Sequence, residues 1–167
     1  MDEGSADEAV RVLEDGLAKL AKSPFLALEL RNVLGITLFF VGEYRRAATL
    51  LDDVGAEYRR RGIENSHQIV LECAYHAGHA YAEIGMPLKA LSHLRFYVAN
   101  ADADSSESAE QVLESRFVIA QMLAADDRAQ EALAELEAVR PLFGAVYGDG
   151  STHVRNIERQ IQRLRVA

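Results

Sequence analysis

Apolar positions along this chain recur at spacings of three and four, which a helix of 3.6 residues per turn gathers onto one face. Leu34, Leu38 and Val41 make one such set, followed by Ala47, Leu51 and Val54. The couplet returns as Ala77, Tyr81 and Ile84 with Ala90, Leu94 and Tyr97, and again as Ile119 and Leu123 with Ala132, Leu136 and Val139. A short stop divides each couplet: Gly42-Glu43-Tyr44, Gly85-Met86-Pro87 and Asp126-Asp127-Arg128. Each couplet therefore predicts two helices joined by a tight turn. Pro87 suits the first turn of a helix, where its missing N–H costs nothing.

The couplets superpose as internal repeats. "LGITLFFVGEYRRAATLLDDV" from Leu34, "AGHAYAEIGMPLKALSHLRFY" from Ala77 and "IAQMLAADDRAQEALAELEAV" from Ile119 align without gaps. Gly35 and Gly78 are 43 residues apart, as are Gly42 and Gly85, and Ala90 and Ala132 are 42 apart. Gly35, Gly78 and Ala120 each follow a core position, where a small side chain lets the paired helix come close; Ala47, Ala90 and Ala132 do the same on the second helix. Ser23-Pro24, Asn65-Ser66, Ser105 or Ser106, and Ser151 are the expected helix caps. The polar stretch "NADADSSES", 100 to 108, separates the second and third units.

Further stripes flank the repeats. Ala9, Leu13, Leu17 and Leu20 form an amphipathic helix resembling the second half of a unit that lacks its first. Val154, Ile157, Ile161 and Leu164 form a closing one, with Arg155, Arg159, Arg163 and Arg165 off the stripe. This last helix is expected to cap the stack with its polar side outward. The expectation is one all-α domain over 1–167: units at about 28–64, 66–103 and 106–144, with flanking helices at about 5–21 and 151–166. A stack that begins half-way through a unit is also the pattern of a piece of something longer.

Composition narrows the function. The chain of 167 residues is 49% hydrophobic, 26% charged and without Trp, the profile of a helical globular domain. A formal net charge of −8 disfavours nucleic-acid binding, which needs a basic surface to displace counterions. A single cysteine excludes an internal disulfide and suits a reducing compartment. The longest apolar stretch, Val33 to Val41, is less than half a membrane span, and the acidic start "MDEGSADE" is no secretory signal. A cytoplasmic protein without membrane contact is the expectation.

The repeats resemble the tetratricopeptide repeat (TPR). Leu34-Gly35, Leu38, Gly42-Glu43-Tyr44, Ala47, Leu51 and Val54 follow its signature. Ala77-Gly78, Tyr81, Gly85, Ala90, Leu94 and Tyr97 follow it nearly as well. The third unit departs, with Ala120 for the first glycine and Asp127 for the turn glycine. The usual early tryptophan is replaced by Arg31, Ala74 and Arg116, so first-helix packing must differ. The period of 42 to 43 is similar to the long repeats of the kinesin light chain type. The tail "RPLFGAVYGDGSTHVRNIERQIQRL" also resembles the C-terminal repeat regions of actinobacterial serine/threonine kinases. The resemblance implies a right-handed TPR-like α-solenoid of about three helix pairs with extra terminal helices, and a regulatory, protein-binding module of a larger signalling protein.

It also implies a concave groove lined by first helices. On the helical wheel, the arc opposite the core holds Glu29, Asn32, Ile36, Phe39 and Phe40 in unit one. In unit two it holds Glu72, Tyr75, His79, Ala82 and Glu83, with His76 beside them, and in unit three Glu114, Phe117, Gln121, Ala124 and Ala125. This wall is aromatic and acidic, with no Lys or Arg. The expected ligand is therefore a basic or amphipathic peptide, and not an acidic C-terminal tail. Phe39, Phe40, Tyr75 and Phe117 would be anchors, and Glu72, Glu83 and Glu114 would orient the ligand. Either Phe39 or Phe40 could instead pack against a neighbouring helix or a second copy. Two further readings are a sensor of peptides or metabolites and a self-association domain whose open half-unit a second copy closes.

No catalytic motif, cofactor site or metal site is expected. Cys73 and His79 lie about 9 Å apart along a helix, beyond the reach of one zinc, and Cys73 sits on the core side. Glu72, His76, His79 and Glu83 share an arc of about 60°, a stripe open to two readings: a divalent-metal site, for which one helix rarely completes the coordination shell, or, favoured over it, two ion pairs that form as the imidazoles protonate.

Overall fold

The structure is a computed structural model, and it describes residues 3–20, 22–102 and 106–166. Eight helices make up the fold among these residues, with no strand. They fall into two compact units, residues 1–86 and 87–167, divided at the turn after the fourth helix.

The first unit holds α1 (Glu3–Lys19), α2 (Pro24–Phe40), α3 (Tyr44–Arg60) and α4 (Gln68–Glu83). Helices α2 and α3 pair through the repeat residues: Leu34, Leu38, Ala47, Leu51 and Val54 are all buried. The steric role expected of Gly35 is direct. A Cβ there would sit 2.6 Å from Leu51 Cγ and Cδ2, so only glycine lets the two helices meet at this point. Helix α4 then packs on α3 and touches α2, burying Val70, Cys73, Ala74, Ala77 and Tyr81. The α1 stripe is rotated from the expected one. Val10 is the buried residue and Ala9 is exposed, with Leu13, Leu17 and Leu20 half-buried. An Arg46–Glu14 ion pair joins α3 to α1.

The second unit holds α5 (Pro87–Asn100), α6 (Ser106–Ala125), α7 (Ala129–Tyr147) and α8 (Thr152–Val166). Leu91 and Leu94 pack with Ile119, Leu123 and Ala132. Leu113, Ala120, Leu136, Val139 and Phe143 pack with Val154, Ile157 and Ile161 of α8. The closing helix is therefore integral to this core.

Turn chemistry ends the first helix of each repeat in the same way, and α3 as well, at Gly62 (φ +82°). After α2 and α4, Gly42 (φ +82°) and Gly85 (φ +68°) adopt left-handed conformations, and Asp127 (φ +59°) does so after α6. In each, the next amide reaches back across the turn: Glu43 to the Leu38 carbonyl (2.9 Å), Met86 to Tyr81 (2.9 Å) and Arg128 to Leu123 (2.9 Å). This capping satisfies carbonyls that a helix end leaves bare. Asp127 makes the same turn as the glycines, against a side-chain penalty they do not carry.

The missing tryptophan is replaced by charge in two of the three units. Arg31 faces Asp53 on α3 at 4.0 Å, and Arg116 donates to Glu135 on α7 at 2.6 Å. Two cap expectations need correction. Helix α4 is capped by His67 rather than Asn65 or Ser66, its Nδ1 accepting from the Ile69 amide at 3.3 Å; Ser23 stands at the α2 N-cap without a side-chain bond, leaving Pro24 to start the helix. Ser151 caps α8 as expected, accepting from Val154 N at 3.3 Å. Ser105 lies outside the described residues.

Candidate peptide-binding surface

In the first unit, α2 ends and α4 runs past it so that their aromatic side chains converge. The His76 ring centre lies 5.0 Å from Phe39, 5.6 Å from Phe40 and 5.1 Å from Tyr75. Tyr75 lies 4.4 Å from His79, and Phe39 meets Tyr44 at 5.6 Å. Mostly edge-on geometry at these separations is how aromatic quadrupoles attract. The cluster has an open side: Phe40 is 64% exposed, while Phe39 and Tyr75 are half-buried. Phe40 is thus the exposed aromatic of the cluster and Phe39 a half-buried residue packed edge-on against it.

The histidines behave differently from the expectation. Both rings are largely buried, and His76 Nδ1 and His79 Nε2 have no hydrogen-bond partner among the described residues. Burial lowers the pKa of His76 to about 4, and burial aided by the His76 charge lowers that of His79 to about 4. The expected Glu72–His76 and His79–Glu83 ion pairs are absent among the described residues. Glu72 instead accepts a hydrogen bond from Gln68 at 3.0 Å, and Glu83 is exposed without an ion pair among those residues. A charge-switch stripe is not what this helix face carries: its imidazoles are neutral packing groups whose rings belong to the aromatic cluster.

Asn32 is a second correction. It is 5% exposed, and its Oδ1 accepts from the Cys73 thiol at 3.1 Å. The neighbouring first helix, α4, occupies the arc that a two-sided wheel assigns to the groove. Cys73 is buried as expected, and burial raises its thiol to about 12. That helix pair also buries Tyr58, whose hydroxyl has no partner among the described residues and whose pKa burial raises to about 12. Glu29 and Ile36 are half-buried. In the first unit the surface therefore presents Phe40, packed on Phe39 and His76, with Glu83 exposed and Glu29 and Glu72 half-buried elsewhere on α2 and α4.

In the second unit, the α6 residues divide. Phe117 packs on the core beside Phe143, with ring centres 5.9 Å apart, and so is a wall residue. Glu114 is exposed, and its charge contributes to the raised pKa of Tyr147, after burial. Gln121 opens onto a cleft of about 590 Å³, whose opposite side is α8. There the absence of Lys and Arg fails: Arg159 and Arg163 share that cleft with Gln121. The α8 polar side lines a cleft rather than only capping the stack. No group of three or more His, Cys, Asp or Glu capable of holding a metal exists among the described residues.

Solved structures with this arrangement are TPR-like repeat proteins. The nearly identical TPR-like repeats of a putative kinesin light chain from Podosopora anserina superpose with a TM-score of 0.71 at 22% identity, covering 96% of this chain and 78% of that one. A point-substituted form of the same protein gives 0.72 at 22% identity, with 96% and 77% covered. The fold is TPR-like. A double mutant of MamA RS-1 matches at 0.60 and 19% identity, over 96% of this chain and 85% of that one. No protein-family model matches the chain, and no curated protein does. Among the described residues, no helix is long and apolar enough to cross a membrane.

Proposed function

We propose that this chain is a non-catalytic protein-interaction domain whose first unit takes a basic or amphipathic peptide. The observation that carries this reading is Phe40, a large aromatic left 64% exposed on top of a packed aromatic cluster. Exposed aromatics supported from beneath are what binding hot spots are made of, because the anchor is already held in place. Glu72 and Glu83 on the adjoining helix supply negative charge, so a peptide with an apolar side chain flanked by Lys or Arg complements the surface. The role fits a regulatory module of a larger cytoplasmic signalling protein such as a serine/threonine kinase, recruiting a protein partner to it.

Fluorescence anisotropy with labelled basic amphipathic peptides tests the reading. Binding should weaken with salt, fall at least tenfold in Phe40→Ala, and weaken in Glu83→Lys. Equal affinity in all three proteins would refute it. A self-association reading has its own support, since Val12, Phe25, Leu26 and Val33 leave apolar surface exposed on α1 and α2. Solution mass across a concentration series separates that reading from the first.

A further inference from the structure

Five of the eight arginines in the second unit face a carboxylate, Arg95 at 4.0 Å from Glu131. Arg116 pairs with Glu135, Arg128 with Glu131, Arg140 with Glu158 and Asp149, and Arg165 with Glu137. Arg155, Arg159 and Arg163, on successive turns of α8, make no ion pair among the described residues; Arg155 donates instead to the Gly150 carbonyl at 2.6 Å and to Thr152 Oγ1 at 3.3 Å. Arg159 gives its Nε only to the Arg155 carbonyl, at 3.4 Å, and Arg163 makes no hydrogen bond or ion pair among the described residues. In a chain of net charge −8, Arg159 and Arg163 thus stand one turn apart with no carboxylate beside them, a charge pattern that an anion complements.

The cleft they share is made for one. Its polar lining is Gln121 from α6 with Asn156 and Gln160 from α8, and no carboxylate lines it. These amides make no hydrogen bonds among the described residues, so their donors are free to turn inward. Arg159 and Arg163 also border the cleft on the other side of α8, but there Glu137 and Glu158 are present, holding Arg165 and Arg140, so only the α6 side offers the two guanidiniums without a carboxylate. Met122, Ala124 and Leu164 give the α6–α8 cleft an apolar part on which neighbouring residues of a chain could rest.

We propose that the α6–α8 cleft is a phosphate-recognition site, taking a phosphoserine or phosphothreonine of a protein partner between Arg159 and Arg163. Charge count favours a phosphoryl group over a carboxylate. A phosphomonoester carries about −1.5 to −2 at pH 7 and can engage both guanidinium forks, whereas a single carboxylate neutralises one. Guanidinium is also the planar, permanently charged donor that such recognition uses. The site is separate from the aromatic surface of the first unit and does not depend on it.

NMR of the full chain, observing arginine Nε–Hε and side-chain amide signals, tests this with four probes. They are the acetylated peptide Ala-Ala-Leu-pSer-Leu-Ala-Ala, its Ser and Glu counterparts, and inorganic phosphate. The phosphopeptide should shift Arg159, Arg163, Gln121 and Asn156 with a Kd at least tenfold below those of the other three. Its affinity should fall as pH drops from 7.5 to 5.5 and the phosphoryl group loses its second charge, near pH 6. The double substitution Arg159→Gln/Arg163→Gln should abolish binding while circular dichroism and Tm stay as in the parent. Equal binding of the Ser or Glu peptide, phosphate binding as tight as the phosphopeptide, retention in the double variant, or no shifts at all would each overturn the proposal.

Discussion

The α4 wall of the first unit and the α6–α8 wall of the second, the two surfaces proposed to bind partners, are opposite in chemistry. Around α4, aromatic rings gather two neutral histidines and leave Phe40 in solvent, with Glu83 exposed on α4. Around α6, the aromatic residue Phe117 packs on the core, and the cleft is lined by amides and guanidiniums beside Met122, Ala124 and Leu164. The repeat is the same and the neighbours differ. Between the paired first helices of unit one, ring packing excludes charge. In the second unit, α8 brings charge to a face that α6 alone would leave neutral.

The histidine cluster provides the largest break. An imidazole whose folded pKa lies near 4, below the unfolded value of about 6.5, is held neutral by the fold. Its stabilisation is complete above pH 6.5 and is lost as pH falls toward 4, because the unfolded chain takes up the proton first. By pH 5 each histidine should cost about 2 kcal/mol of stability. Thermal melts at pH 7 and pH 5 should therefore differ by many degrees. His76→Phe/His79→Phe should flatten that slope whatever it does to the Tm at pH 7.

Next is Gly35, whose counterpart in the third repeat is the fully buried Ala120. The second unit accommodates a Cβ at this position, whereas the first has Leu51 2.6 Å from where it would be. Gly35→Ala should destabilise by about 1–3 kcal/mol through overpacking, while Ala120→Gly should cost about 1 kcal/mol through helix propensity. Chemical denaturation with fluorescence detection of tyrosine reads both.

The smallest effect has the opposite sign. Asp127 occupies the left-handed turn position that Gly42 and Gly85 fill in the other repeats. Asp127→Gly should raise stability by up to about 1 kcal/mol, since glycine enters that conformation without a side-chain clash. Gly85→Asp should lower it by a similar amount, which a pair of urea titrations would register.

Much of the fold is legible in the sequence because the period, the small residues and the turn glycines all encode contacts between adjacent helices. Leu34, Leu51, Tyr81, Leu136 and Val139 all lie where their spacing puts them. Residues that meet a third helix are not legible in this way. A helical wheel has two sides and so gives Asn32 to the groove, but α4 closes that side through the Cys73 thiol. His76 and His79 have carboxylates four residues away, a sound rule for exposed helices, but Phe39 and Phe40 of α2 pack on His76, and Tyr75 of α4 packs on His79. Arg159 and Arg163 escape a reading centred on Gln121, because the cleft joins helices some 30 residues apart in sequence. Their i, i+4 spacing without an acidic partner of their own is the available signal.

The central claim is that the aromatic face of the first unit binds a protein partner through an apolar anchor and basic flanks. Isothermal titration of the full chain with the peptide Lys-Arg-Leu-Leu-Lys-Leu-Arg, against its all-acidic counterpart Glu-Glu-Leu-Leu-Glu-Leu-Glu, tests it most directly. The account predicts saturable binding of the basic peptide alone, weakened by salt and lost in Phe40→Ala. Saturable binding of the acidic peptide to the same face, or basic-peptide binding indifferent to Phe40, would contradict it.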